Sequence, residues 1–201
     1  NGAALFSLDI KKEGVAPLAA WLQRERITLL WISSPLFRSL CDVLTGKEDF
    51  SNLRLLRLSS ETIYKADIDL YKRYFPFNCP VFVGLASSET GLLRSYFINH
   101  ETIIAGTEVP VGYAVEGKEI SLLDDNGNPV GYNKVGEIVV RSRFLSPGYW
   151  QRPDLTEAKF QPGPHDPEKR LYYTGDLGLM LPDGCLIHKG RKDLRVKIHG
   201  Y

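Results

Sequence analysis

Strand-like and helix-like stretches alternate over residues 1 to about 100, and hairpin signals between β-branched runs take over after residue 101. These two observations predict an α/β chain: a mainly parallel sheet with flanking helices, followed by a small antiparallel, barrel-like β subdomain. The change of pattern divides the 201 residues into an α/β subdomain over 1–100, a β subdomain over 101–190 and a cationic segment over 191–201.

The elements follow in order. Residues 3–8 form a short apolar run, and Val15, Leu18, Ala19 and Leu22 fall on one helical face beside Trp21. Residues 27–32 read as a continuous apolar strand of the kind buried on both faces. Ser34 and Pro35 read as an N-cap and first helical position. Leu36, Phe37, Leu40, Val43 and Leu44 give that helix its apolar face, and Gly46 stops it. Residues 53–58 predict a strand, 66–74 a helix closed by Pro76, and 81–85 another strand. Further on, strands over 119–123 and 131–141 flank Asp124-Asp125-Asn126-Gly127-Asn128, a hairpin signal. Residues 161–170 are proline-rich and charged, hence a surface loop. Pro182-Asp183-Gly184 is a turn between two short apolar runs, whose strands can pair.

Composition narrows the function classes. A net charge of +1 gives no electrostatic case for nucleic acid or an anionic membrane. No apolar run approaches the ~20 residues of a spanning helix. The opening NGAALFSLDIKKEG lacks the basic leader and long apolar centre of a signal peptide. Cys41, Cys79 and Cys185 lie far apart, in no metal spacing and in odd number, which argues against a disulfide framework. A cytoplasmic setting is expected.

Two stretches suggest nucleotide chemistry. Thr174-Gly175-Asp176 presents a carboxylate on an expected turn that the glycine lets bend sharply. A carboxylate can accept hydrogen bonds from a vicinal diol such as a ribose. Gly190-Arg191-Lys192-Asp193 supplies a guanidinium, whose planar fork matches phosphate. The strand over 81–85 ends in Gly84-Leu85-Ala86-Ser87-Ser88-Glu89-Thr90-Gly91, and open α/β sheets bind ligands at the C-terminal ends of their strands. Hydroxyls and a carboxylate there can hold phosphate oxygens and magnesium, which prefers hard oxygen ligands.

These motifs in combination, Tyr-Tyr-Thr-Gly-Asp-Leu at 172–177 and Gly-Arg-Lys-Asp-Leu-Arg-Val-Lys-Ile-His-Gly at 190–200, resemble the adenylate-forming superfamily. That family comprises acyl-CoA synthetases, luciferase and the adenylation domains of nonribosomal peptide synthetases. The loop at 85–89 is similar to its Tyr-Gly-x-Thr-Glu motif, which implies that Ser88 contacts the α-phosphate and Glu89 binds magnesium, both catalytic. The resemblance further implies ATP or AMP contacts for Asp176 (ribose), Arg191 (ribose or phosphate) and His188. Asp193 would be the hinge of a mobile C-terminal subdomain. Val109-Pro110-Val111-Gly112, Gly136-Glu137-Ile138 and Gly148-Tyr149-Trp150-Gln151-Arg152-Pro153-Asp154-Leu155-Thr156 resemble further family segments. For these we expect structural roles, with Tyr149 and Trp150 packing a subdomain junction. The Arg-Pro-x-Leu-Thr form looks most like the peptide synthetase branch.

The chain departs from the pattern at two places. Leu85 and Ala86 stand where the family has an aromatic and a glycine, so Leu85 would cover the adenine without stacking. Leu58-Ser59-Ser60-Glu61 stands where Gly-Gly-Glu meets the adenine edge, so Ser59 would face the base. The resemblance implies activation of a carboxylic acid substrate by ATP and Mg²⁺, followed by transfer to the phosphopantetheine thiol of a peptidyl or acyl carrier protein. A free-standing acyl-CoA or acyl-AMP ligase and a degenerate scaffold are the alternatives. The family's phosphate loop and C-terminal subdomain would lie outside residues 1–201, so these residues alone are expected to be inactive.

Overall fold

The computed structural model describes residues 2–163, 166 and 168–192, which fall into two compact units. The first comprises the residues up to Phe82 together with Ile98–Thr107; the second comprises Val83–Phe97 and the chain from Glu108 on.

In the first unit, strands β1 (Leu29–Ser33), β2 (Leu55–Ser59) and the start of β3 (Val81–Ser87) pair in parallel. Helices α1 (Ile10–Glu13), α2 (Leu18–Arg24), α3 (Ser34–Val43) and α4 (Lys65–Tyr74) alternate with them. Apolar spacing along α3 puts Phe37, Leu40 and Cys41 on one buried face against β1 and β2. Phe37 and Leu40 are fully buried, each stabilising by roughly 1.5–3 kcal/mol. Phe75 stacks on Phe50 with ring centroids 5.0 Å apart.

Three local expectations are corrected. Ser34 is not the cap but the first helical residue, and its Oγ donates to the Ser59 carbonyl at 3.1 Å, tying α3 to β2. Strand β1 buries only one face: Leu30 and Ile32 point into the core while Leu29 and Trp31 are exposed. Residues 3–8 form no regular element.

In the second unit, β3 runs on to Ser87, and β4 (Gly91–Ile98), which the sequence pattern did not single out, follows across the turn at 88–90. Strand β4 pairs antiparallel with β5 (Tyr113–Ala114). A separate antiparallel sheet has the order β10-β9-β7-β6, from β6 (Glu119–Leu123), β7 (Val135–Ser142), β9 (Arg170–Met180) and β10 (Leu186–Arg191). Helix α5 (Pro153–Lys159) leads into β8 (Phe160–Pro162), which pairs with β9. Residues 161 and 162 thus extend the sheet where a loop was expected.

The fold class is the one the sequence predicts, although among the described residues the antiparallel sheet does not close into a barrel. Its core gathers Leu93, Leu122, Ile138, Val140, Tyr172 and Leu186. The turn at Pro182-Asp183-Gly184 forms as expected, with the Gly184 N–H donating to the Leu181 carbonyl at 2.9 Å. All three cysteines are buried and unpaired.

Candidate functional site

The site is built on β9. Its register against β7 slips, because Glu137 lies opposite Leu177 whereas Val139 lies opposite Tyr173, so Thr174–Asp176 bulge from the ladder. Strand β10 slips as well, with His188 opposite Gly178 but Arg191 opposite Asp176. Bulges re-aim side chains without ending a strand. Gly175 at φ 74 and Gly190 at φ 86 supply left-handed backbone that other residues adopt only with strain. The expected turn at Thr174-Gly175-Asp176 is therefore corrected: the segment is a bulge inside a strand.

Short bonds fix that bulge. Thr174 Oγ1 donates to the Ile138 carbonyl at 2.7 Å and accepts the Asp176 N–H at 2.9 Å. The Gly175 N–H donates to Glu137 Oε1 at 3.1 Å, and the Gly175 carbonyl accepts the Lys192 N–H at 2.7 Å. A Cβ on Gly175 would lie 3.0 Å from Arg191 Nη2.

The result brings three of the predicted residues together. Arg191 Nη1 donates to Asp176 Oδ1 at 3.0 Å, and His188 Nε2 stands 3.6 Å from the same oxygen. The Gly190 N–H donates to His188 Nδ1 at 3.3 Å. Arg191 Nη2 also donates to the Thr174 carbonyl at 3.4 Å. The Asp176 side chain is 21% exposed, and its Oδ2 has no partner among the described residues. A second hydrogen-bonded group, such as a diol, can approach there.

Glu89 occupies the β3–β4 turn. Tyr149 Oη donates to Glu89 Oε1 at 2.9 Å, and the Tyr149 and Tyr172 hydroxyls are 3.3 Å apart. Burial opposes the charge on Glu89, but its own backbone N–H and the Tyr149, Ser87 and Tyr172 hydroxyls outweigh it and hold the pKa below the usual carboxylate value. Burial first, then the bond with Tyr149 and the charge on Glu89, drives the Tyr172 phenol upward, so it stays a donor.

Ser88 is exposed at the tip of the turn, while Ser87 and Thr90 share a 2.9 Å hydrogen bond beneath it. Among the described residues no group of three His, Cys, Asp or Glu side chains could hold a metal ion. A metal at Glu89 would take its other ligands from phosphates and water, which fits magnesium.

The remaining predicted residues lie elsewhere. Leu85 is half-buried and packs on the core of the second unit. Ser59 belongs to the first unit, where its Oγ accepts the Trp31 indole N–H at 2.8 Å. Ser60 beside it adopts φ 82, a conformation suited to glycine. Asp193 lies outside the described residues. Lys192 is exposed and pairs with Asp125 at 2.8 Å and Glu137 at 3.4 Å.

Sequence reasoning missed the tyrosine pair on Glu89, having read Tyr149 as packing. Sixty residues separate Tyr149 from Glu89, and no local spacing signals that contact. It also missed Thr174 and Glu137 as the anchors of the bulge. Among the described residues no helix is long and apolar enough to cross a membrane.

The fold has counterparts among solved structures. CmiS6 has this fold, with a TM-score of 0.78 at 29% identity over 89% of this chain and 44% of its own. So does PA1221, a nonribosomal peptide synthetase protein containing adenylation and PCP domains, with a TM-score of 0.79 at 25% identity over 98% of this chain and 39% of its own.

The AMP-binding enzyme family model matches residues 1–150, and the chain belongs to that family. It is 35% identical over its whole length to Gramicidin S synthase 2 of Brevibacillus brevis and 32% identical to Surfactin synthase subunit 2 of Bacillus subtilis (strain 168). It spans only 4% and 6% of those two proteins, respectively.

Proposed function

We propose that the protein containing this chain activates a carboxylic acid, an amino acid, with ATP. The substrate carboxylate attacks the α-phosphorus, an acyl–oxygen–phosphorus bond forms, and pyrophosphate leaves. The acyl group then passes to the phosphopantetheine thiol of a carrier domain: a carbon–sulfur bond forms, AMP leaves, and the thiol proton is released. The observation that carries this reading is Asp176, held between Arg191 and His188 with one oxygen available. The peptide synthetase relatives and the adenylation–PCP protein of similar fold support the amino acid and the carrier partner.

In this reading Asp176 Oδ2 accepts the ribose hydroxyls, Arg191 and His188 face ribose or phosphate, and Ser88 meets the α-phosphate. Leu85 borders the adenine. Glu89, kept ionised by its own backbone N–H and by Tyr149, would hold magnesium, which would offset charge on the phosphate oxygens. Catalysis is then mainly positioning and electrostatics. Asp193 serves as hinge to a C-terminal subdomain, residues 1–100 and 101–190 act as two subdomains, and residues 1–201 alone are inactive. The setting is cytoplasmic.

The test is carboxylate-dependent ATP–pyrophosphate exchange by the full-length protein over a panel of amino, aryl and fatty acids. Exchange with an amino acid is expected, and Asp176→Ala should weaken ATP binding by about tenfold or more. Silence across the panel by folded protein would overturn the activity. Unchanged nucleotide affinity in Asp176→Ala would overturn the role of Asp176.

A further inference from the structure

We propose that the second unit carries a separate binding site for a small apolar monocarboxylate, centred on Arg94. Arg94 lies on β4 opposite Ala114 of β5 and is only 5% exposed. Among the described residues it has no ion pair, and its Nε has no hydrogen-bond acceptor. Buried arginines are ordinarily paired, because an uncompensated buried charge is strongly destabilising. Burial is the main influence lowering its pKa, yet a guanidinium remains charged.

Arg94 lines a cleft of about 700 Å³ within this unit. None of Glu89, Asp176, His188 or Arg191 lines that cleft.

The walls select the ligand. Ile120, Leu122, Val130 and Met180 offer an apolar lining, suited to an organic body rather than a bare ion. Tyr113 lines the same cleft, and its bond to Asp183 pushes its phenol up to about 12, so it stays protonated. Asp183 is already engaged, accepting Tyr113 Oη at 3.1 Å and the Cys185 N–H at 3.0 Å. Its negative charge in the cleft disfavours a dianion such as phosphate. A planar carboxylate matches the guanidinium fork and carries a single charge.

Calorimetry on the full-length protein with benzoate, benzyl alcohol and inorganic phosphate tests the site. Benzoate should bind, whereas benzyl alcohol, with the same body and no charge, and phosphate should not. Arg94→Met should weaken benzoate by about tenfold or more, while Asp176→Ala leaves it unchanged. Removing an unpaired cation should leave the Arg94→Met melting temperature unchanged or raised, and the pyrophosphate exchange rate at saturating substrate unaltered.

Benzoate affinity that survives Arg94→Met overturns the proposal, as does phosphate binding in preference to benzoate. A fall of several degrees in melting temperature in Arg94→Met, with no benzoate binding to the unmodified protein, also overturns it. That outcome would assign Arg94 to an acidic side chain elsewhere in the polypeptide.

Discussion

Each unit holds an aspartate–arginine pair that joins two regular elements, and these two pairs do opposite things. In the first unit, Asp67 is buried and saturated: Arg38 reaches both its oxygens, at 2.7 and 2.9 Å, and the Tyr64 N–H adds a third bond at 2.8 Å. Helices α3 and α4 are joined there, and both oxygens are engaged. In the second unit, Asp176 is partly exposed, and one oxygen receives Arg191 while the other is open among the described residues. A closed pair holds structure, whereas a half-filled pair can bind. The residue types are the same, and what differs is how many donors the backbone brings to the carboxylate.

The largest expected effect breaks the closed pair. Asp67→Ala leaves an empty buried position and removes three hydrogen bonds, and it should cost about 2 kcal/mol in urea unfolding, since Arg38 is partly solvated. Asp176→Ala should cost about 1 kcal/mol or less by the same measurement, since its pair is partly solvated. Equal losses would erase the distinction between the pairs.

Gly175→Ala places a side chain at φ 74, against Arg191. It should destabilise by about 1–2 kcal/mol and weaken nucleotide binding as the bulge shifts. Binding that survives the substitution would show that the bulge is not what aims Asp176.

Glu89 sharpens the contrast, being a carboxylate held by hydroxyls rather than by arginine. Its folded pKa lies below the ordinary 4.5, so its contribution to stability is present above that value and is lost as pH falls through the folded pKa. Tyr149→Phe removes a donor and should move the Glu89 carboxyl titration upward, followed by carbon-detected NMR. A titration that does not move would exclude Tyr149 as the source.

The smallest expected effect lies at Ser60, where the family pattern has glycine. Ser60→Gly relieves left-handed strain and should stabilise by about 0.5 kcal/mol, net of the added freedom of the unfolded chain. A loss of stability would mean that the Ser60 side chain makes a contribution larger than its strain.

Much of the fold was legible in the chain. Apolar spacing from Phe37 to Leu44 marked α3, and Pro182-Asp183-Gly184 marked the hairpin of β9 and β10. Asp176 and Arg191 were legible as a site because their motif is short and distinctive. Their direct contact was not, since it depends on two register slips that place Arg191 opposite Asp176. Strand β4 went unnoticed because its burial pattern does not alternate, with Leu93 and Arg94 both buried in succession.

The sequence by itself determined most of the helices and strands, the turn at Pro182-Asp183-Gly184, and which side chains have the chemistry to bond a nucleotide. Those properties rest on periodicity, backbone preference and functional-group chemistry, all of which act within a few residues. Only the tertiary structure decided that both oxygens of Asp67 are engaged while one of Asp176 is open among the described residues, that Tyr149 reaches Glu89 from sixty residues away, and that Arg94 is buried with no acceptor for its Nε among the described residues. Desolvation and hydrogen-bond saturation depend on everything that packs around a group, and strand register sets those neighbours over distances that no local pattern encodes.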